Sequence, residues 1–363
     1  MDPLESDRLG SFPHPREVYD LFGHEDAVGL VDQALSQDRF PHAWLIGGPK
    51  GVGKATLAYQ IARALMTGRS KLGDASRDDP AIARIEALSH SDLLLLRRPW
   101  DEKAKRLKTA IPVDEVRRTN AFFGSHAGEG GWRVCIVDCV DELNTQAANA
   151  LLKILEEPPK QSVFLLVSHN PGRVLPTIRS RCRQLKLGSL PPATIVGALS
   201  STFPDLSEQD KETIAVLADG SIGYAFQLAD EDGLPLYREL TAMIAGLPNV
   251  DMLKVGDFGD RLSRPAADQS YRLMTNLFVR YLERLIKASV DGRAEHFTDQ
   301  MEQKALAHVT AHGALDDWFL VWENLRRLFA RADAVALDKR QVILSSFNQL
   351  KSVSAGMVKP LAF

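Results

Sequence analysis

The segment Gly47-Gly48-Pro49-Lys50-Gly51-Val52-Gly53-Lys54-Ala55-Thr56 lies between an apolar run and a helix-forming stretch. Read as G-x-x-x-x-G-K-[ST], Gly48, Gly53 and Lys54 fit. Gly48, Gly51 and Gly53 let backbone N–H groups curl around phosphate oxygens, the helix start adds its positive end, and Lys54 reaches the terminal phosphates. The hydroxyl position departs from the pattern. Ala55 stands there, and Thr56 comes one residue late, about 100° round the helix, where it replaces a magnesium ligand only if the turn distorts. Two readings stay open: a loop that holds ATP or ADP, and a Gly-rich turn that holds no nucleotide.

A second phosphate-site element is an apolar strand ending in acids, and Arg133-Val-Cys-Ile-Val137 followed by Asp138-Cys139-Val140-Asp141-Glu142 has that form. Asp138 occupies the place of a metal-orienting carboxylate. Cys139 stands where an ATPase carries the acid that polarises water, and a thiol does not suit that role. Asp141 and Glu142 lie too far along to substitute without re-routing the chain, and otherwise belong to a solvated turn or helix entry. Two departures in two motifs point away from hydrolysis.

These residues need a scaffold, and the first half of the chain supplies one by alternating short apolar runs with helical patterns, as a parallel sheet with crossover helices does. Ala43-Trp-Leu-Ile46, Leu93 to Leu96, Arg133 to Val137 and Val163 to Val167 read as strands, and Ala55 to Met66 as the helix after the phosphate loop. Their unbroken apolar runs suit strands buried on both faces. After Leu190 the strand-like runs cease. Pro191-Pro192 opens a helical region, with three short helices to about residue 235 separated by Pro204 and Gly220, and longer ones beyond, including Tyr271 to Ala288 and Trp318 to Ala330. The expected fold is α/β, a phosphate-loop domain over 1–190, with a helical lid over 191–235 and a helical bundle over 236–363. Gly256 to Pro265 reads as a loop.

Length and composition bound the function classes. At about 150 residues per domain, 363 residues allow two or three domains, and 45% hydrophobic with 25% charged residues is ordinary for a globular chain. Forty-four basic against 47 acidic residues leave a net charge of -3, so no global field draws the chain onto nucleic acid. Residues 97–118 are the exception, with eight Lys/Arg against four Asp/Glu. Cys135, Cys139 and Cys182 are too few for a disulfide framework and fit a reducing cytosol. They also lack zinc-ligand spacing. No apolar run approaches a bilayer span, and MDPLESDRLG lacks the pattern of a signal peptide. The expected location is the cytoplasm, without membrane contact.

Three further strings are specific. Leu143-Asn-Thr-Gln-Ala-Ala-Asn-Ala-Leu-Leu-Lys-Ile-Leu-Glu-Glu-Pro-Pro159 has helical spacing, with Ala147, Leu151 and Ile154 or Leu155 on one face, and a double proline that ends the helix. Phe22-Gly-His-Glu-Asp precedes Arg39-Phe-Pro-His-Ala-Trp44, and Leu175-Pro-Thr-Ile-Arg-Ser-Arg-Cys182 closes the series. With these strings the chain resembles the clamp-loader branch of the AAA+ ATPases, in particular the delta-prime family of bacterial DNA polymerase III. The likeness is strongest over about residues 15–190, and Gly220-Ser221 and Ala336-Leu337-Asp338 are its echoes in the helical remainder.

The resemblance implies a AAA+ module, a lid and a collar bundle, assembled with gamma/tau and delta subunits in a ring that places the sliding clamp on primed DNA. It implies that Arg181, in Ser180-Arg181-Cys182, is an arginine finger serving a neighbour's ATP, with Ser180 ordering the turn and Cys182 a small buried residue. Otherwise Arg181 is a surface arginine bonded to nearby carboxylates. The chain departs from the family where residues 67–92 lack the cysteines of a zinc module, and where Gly223 follows Gly220-Ser221-Ile222 in place of the lid arginine. Ser168-His169-Asn170 lies near the family's polar sensor. A non-hydrolysing subunit that needs no cofactor is the expectation. Its rivals are an active ATPase motor that improvises with Thr56 and Asp141 or Glu142, and an accessory DNA-binding module using 97–118.

Overall fold

In a computed structural model the described residues are 5–8, 12–37, 40–103, 106–124, 128, 131–230, 233–291, 300–311 and 314–356. Arg39, part of one string above, and residues 104–105 of the basic segment lie outside them. The chain divides into two compact units, residues 1–227 and 228–363.

Five parallel strands form the sheet of the first unit: β1 (Ala43–Gly47), β2 (Leu93–Arg97), β5 (Arg133–Asp138), β6 (Ser162–Ser168) and β7 (Arg183–Lys186). A separate two-stranded hairpin, β3 (Trp100–Asp101) and β4 (Arg106–Leu107), follows β2. The strand order β2-β5-β6-β1-β7 puts β1 at the point where the chain turns from one side of the sheet to the other, and ligand sites of open parallel sheets form beyond the strand carboxyl ends at such a point. The apolar runs of β1, β5 and β6 are buried throughout, as expected for strands covered on both faces.

The period-2 alternation divides these residues between two cores. Trp44, Ile46, Val134, Ile136, Val163 and Leu165 pack with helices α1 (Glu25–Leu35), α2 (Lys54–Met66) and α3 (Pro80–Glu86). Leu45, Cys135, Val137, Phe164 and Leu166 pack with α4 (Val113–Gly124), α5 (Thr145–Glu156) and α6 (Pro176–Arg179). Asn144 caps α5 by accepting from the Ala147 amide at 2.8 Å. Leu155 rather than Ile154 completes its buried face. Helices α7 (Pro192–Thr202) and α8 (Glu208–Leu217), the first two of the expected lid, belong to the first unit, and α9 (Ile222–Asp230) crosses its boundary.

The second unit is wholly helical among its described residues: α10 (Gly233–Ala245), α11 (Met252–Leu262), α12 (Asp268–Asp291), α13 (Gln300–Ala311), α14 (Leu315–Val335) and α15 (Lys339–Ser354). The expected loop from Gly256 to Pro265 is corrected here. Asp251 caps α11 on the Leu253 amide at 3.0 Å, and Val255, Phe258 and Leu262 are buried on one helical face. Gly256 and Gly259 suggest a break in the sequence, yet both lie within the helix, and Gly259 serves close packing, since a Cβ there would come within 3.2 Å of the Arg340 side chain.

Candidate functional site

The phosphate loop leaves β1 at Gly47 and enters α2 at Lys54. Gly51 (φ 80°) and Gly53 (φ 104°) hold left-handed conformations that let the loop curl, as its glycine content predicts. Space is equally restricted. A Cβ on Gly48 would meet the Leu187 carbonyl oxygen at 2.0 Å, and one on Gly51 the Ser221 Oγ at 2.2 Å. Gly223 donates its amide to the Gly51 carbonyl at 2.9 Å, so the start of α9 closes onto the loop. The Phe22-Gly-His-Glu-Asp string finds its place beside it. Gly23 and His24 both turn left-handed ahead of α1, and a His24 ring nitrogen is hydrogen-bonded to the Val52 carbonyl at 2.9 Å.

Lys54 is nearly enclosed and donates to the carbonyls of Gly48, at 2.8 Å, and Pro49, its ammonium folded onto its own loop. Burial pushes its pKa down to about 8, against the attraction of Asp138. Asp138 closes β5 and is also enclosed. Burial raises its pKa to about 7, and Lys54 only partly offsets this. A half-ionised carboxyl is a weak magnesium ligand until a cation arrives. Thr56 and Ala55 line the same cavity, but Ala55 carries no hydroxyl. The residues therefore fit the phosphates of a nucleotide better than its metal.

The acids after Asp138 are committed elsewhere. Asp141 accepts from Ser168 Oγ at 2.9 Å, from the amides of His169 at 2.5 Å and Asn170 at 3.4 Å, and from the Cys139 thiol at 3.2 Å. Asp141 lies in a short 3-10 helix, Val140–Glu142, which fits the helix entry expected there, and its carboxylate ties the ends of β5 and β6 together. Glu142 pairs with Arg98 at 2.8 Å. Burial pushes the Cys139 thiol far above its ordinary range. His169 stands at the exposed mouth of the cavity, where partial desolvation and then the charges of Lys54 and Lys50 lower its pKa to about 4. It presents a neutral imidazole.

The cavity measures about 190 Å³. Phosphate-loop residues, Asp138 and His169 line one part of it. The remainder contains residues that sequence reasoning missed: Asp7, Phe12, Pro13 and Pro15 from the N-terminal segment, with Phe226 from α9. No local pattern marks them, because they meet only through the fold.

Arg181 follows α6 and its Ser180 C-cap. The guanidinium donates to the Thr177 carbonyl at 2.9 Å and to Glu156 Oε1 at 2.8 Å, with both side chains well exposed. Arg181 is not among the residues lining the cavity of its own phosphate loop. Cys182 is buried as expected, and burial raises its thiol pKa to about 12. The basic segment is less available than its sequence suggests. Arg97, Arg98, Arg117 and Arg118 are all engaged in ion pairs.

Residues 23–191, which carry both the loop and Arg181, match the family described as DNA polymerase III, delta subunit. Over this segment, somewhat less than half of its length, the chain is similar to subunits of DNA polymerase III. The chain is 37% identical to DNA polymerase III subunit delta' of Pseudomonas aeruginosa over 192 residues, 53% of this chain and 57% of that protein. It is 30% identical to subunit tau of Bacillus subtilis over 223 residues, 60% of this chain and 38% of that protein. Subunit delta' of Bacillus subtilis aligns more fully, at 24% identity over 326 residues, 81% of this chain and 94% of that protein. The match thus spans little more than half the length of the Pseudomonas relative. The five-stranded parallel sheet, its strand order and the loop after β1 form the α/β phosphate-loop domain expected from the sequence. No helix among the described residues is long and apolar enough to cross a membrane.

Proposed function

We propose that this chain is a non-hydrolysing subunit of a DNA polymerase III clamp loader, a delta-prime-type arm that donates Arg181 to the ATP of a neighbouring subunit. Its partners on this reading are gamma/tau and delta subunits, with the sliding clamp and primed DNA reached within the assembly, in the cytoplasm. The observation that carries the reading is the commitment of Asp141. Asp141, one of two carboxylates that an improvised motor could use for polarising water, accepts four hydrogen bonds from its own sheet ends. Glu142, the other candidate, is paired with Arg98. Ala55 supplies no hydroxyl at the magnesium position, and Cys139 supplies no acid at the position that polarises water.

Arg181 has the opposite character. Its partner Glu156 is exposed, so this pair is worth at most about 1 kcal/mol and yields readily to a triphosphate. A planar guanidinium can reach two phosphate oxygens together and stabilise charge that develops on them. The DNA-binding module is disfavoured because four of its arginines are already paired within the chain. The deciding experiment reconstitutes the ring with wild-type or Arg181→Ala chain and measures primed-DNA-stimulated ATP hydrolysis. A finger is worth on the order of 10³ to 10⁵ in rate, diluted here to one interface. Normal assembly with reduced hydrolysis is expected. Unchanged hydrolysis would remove Arg181 from the mechanism.

A further inference from the structure

The phosphate-loop cavity has two ends of different chemistry. Lys54, Asp138 and His169 mark the polar end; Phe12, Phe22 and Phe226 mark the other. A ligand with phosphates on the loop would direct an attached base toward the aromatic end, where flat rings stack favourably. That place is already filled. The Phe12 ring lies on Phe226 with centroids 4.9 Å apart and planes 24° apart, and Phe22 and Phe203 meet Phe226 edge-on at 6.3 and 5.8 Å. A base between Phe12 and Phe226 needs them roughly 7–8 Å apart, twice a carbon contact distance.

Resting on the reading of this cavity as a nucleotide-type site, we propose that Phe12 is a built-in stand-in for the base, held in the cavity by anchors on both sides of it in the chain. Before it, Arg97 at the end of β2 bridges Asp7 Oδ1 at 2.5 Å and Glu5 Oε1 at 2.7 Å. After it, His14 Nε2 lies 2.8 Å from Asp7 Oδ2, and Arg16 reaches Glu5 at 3.1 Å. Arg8 Nε adds a bond to the Phe12 carbonyl at 3.2 Å. The next stretch is fastened to α2, with Arg63 donating to the carbonyls of Val18, at 3.1 Å, and Arg16, and Gln60 to that of Tyr19, at 2.6 Å.

Glu5, Asp7 and His14 stand close enough together to ligate a metal ion. Arg97 and Arg16 already neutralise the two carboxylates, so the cluster works as a clasp for the segment. The Asp7 side chain is fully enclosed. Burial alone would raise its pKa, but His14 and Arg97 prevail and hold it below the ordinary carboxylate range. An occupant that belongs to the chain has a high but finite effective concentration, so a base binds with an affinity reduced by the fraction of chains in which the clasp is open. A subunit that serves a neighbour's ATP then keeps its own cavity filled without a nucleotide.

The test titrates full-length protein with ADP and, separately, with inorganic tripolyphosphate, by calorimetry. Tripolyphosphate needs only the loop and should bind wild type. ADP should bind Phe12→Ala at least tenfold more tightly than wild type, and Lys54→Ala in the Phe12→Ala background should abolish the gain. Asp7→Asn loosens the clasp without removing the ring and should give a gain of the same sign, which keeps the test alive if Phe12→Ala does not fold. Equal ADP affinity in wild type and both variants would overturn the stand-in while leaving the nucleotide-type site intact. Failure of every variant to bind either probe would overturn the site reading and the stand-in together.

Discussion

Substituting Asp138 with asparagine should stabilise the protein, and by an amount that grows with pH. In the folded chain burial raises the carboxyl from 3.8 to about 7. The native state therefore holds this proton more tightly than the unfolded chain, and stability falls as pH rises from about 4 through 7. The full shift of about 3 units corresponds to about 4 kcal/mol, an upper figure because Lys54 titrates against the same carboxyl. At about pH 5 only some 1.6 kcal/mol of that cost is present, and near pH 7.5 almost all of it. Asparagine keeps the size and removes the charge. The Asp138→Asn gain, read from urea unfolding midpoints with constant slope, should be larger by about 2–3 kcal/mol at the higher pH. Loss of the Asp138 charge drives Lys54 further toward neutrality, which trims the gain without reversing its sign. A gain identical at both pH values, or a loss that deepens with pH, would refute the assignment of Asp138 as a desolvated acid and return it to the role of an ordinary ionised ligand.

Gly51→Ala should destabilise by more than about 1–2 kcal/mol, since a Cβ there is strained at φ 80° and collides with Ser221 Oγ. In a Ser221→Gly background the collision part should be recovered; an undiminished cost in a thermal-unfolding double-mutant cycle would show that the α9 start does not press on the loop. Asp141→Ala should cost about 1–3 kcal/mol by stranding the Ser168 hydroxyl and the His169 amide, and should leave the hydrolysis rate of a reconstituted loader unchanged per assembled ring. A specific loss of turnover at full stability would place Asp141 in the chemistry instead.

Much of the scaffold is legible in the sequence because local patterns carry it. Continuous apolar runs specify strands covered on both faces, the glycines between β1 and α2 specify a curled loop, and Asn144 with the double proline brackets α5. Ala55 and Cys139, read as departures from phosphate-loop motifs, already argue against hydrolysis without coordinates. The loop expected from Gly256 to Pro265 fails because glycine signals a break only when nothing packs on it. Close approach to Arg340 decides otherwise, and that residue lies some eighty positions away.

What the sequence by itself determined is therefore the covalent and short-range part: the loop, the missing hydroxyl, the cysteine in place of an acid, and the Ser180-Arg181-Cys182 string. Only the tertiary structure decided how the remaining polar groups are spent. Asp141 looks like a spare acid until β6 brings Ser168 and His169 to it, and Arg97 looks like part of a basic patch until the N-terminal segment folds onto it with Glu5 and Asp7. Phe12 carries no motif at all, yet it reaches the cavity because it stacks on Phe226, more than two hundred residues along the chain. Such pairings have no sequence period, since burial and electrostatic satisfaction depend on which surfaces meet in space.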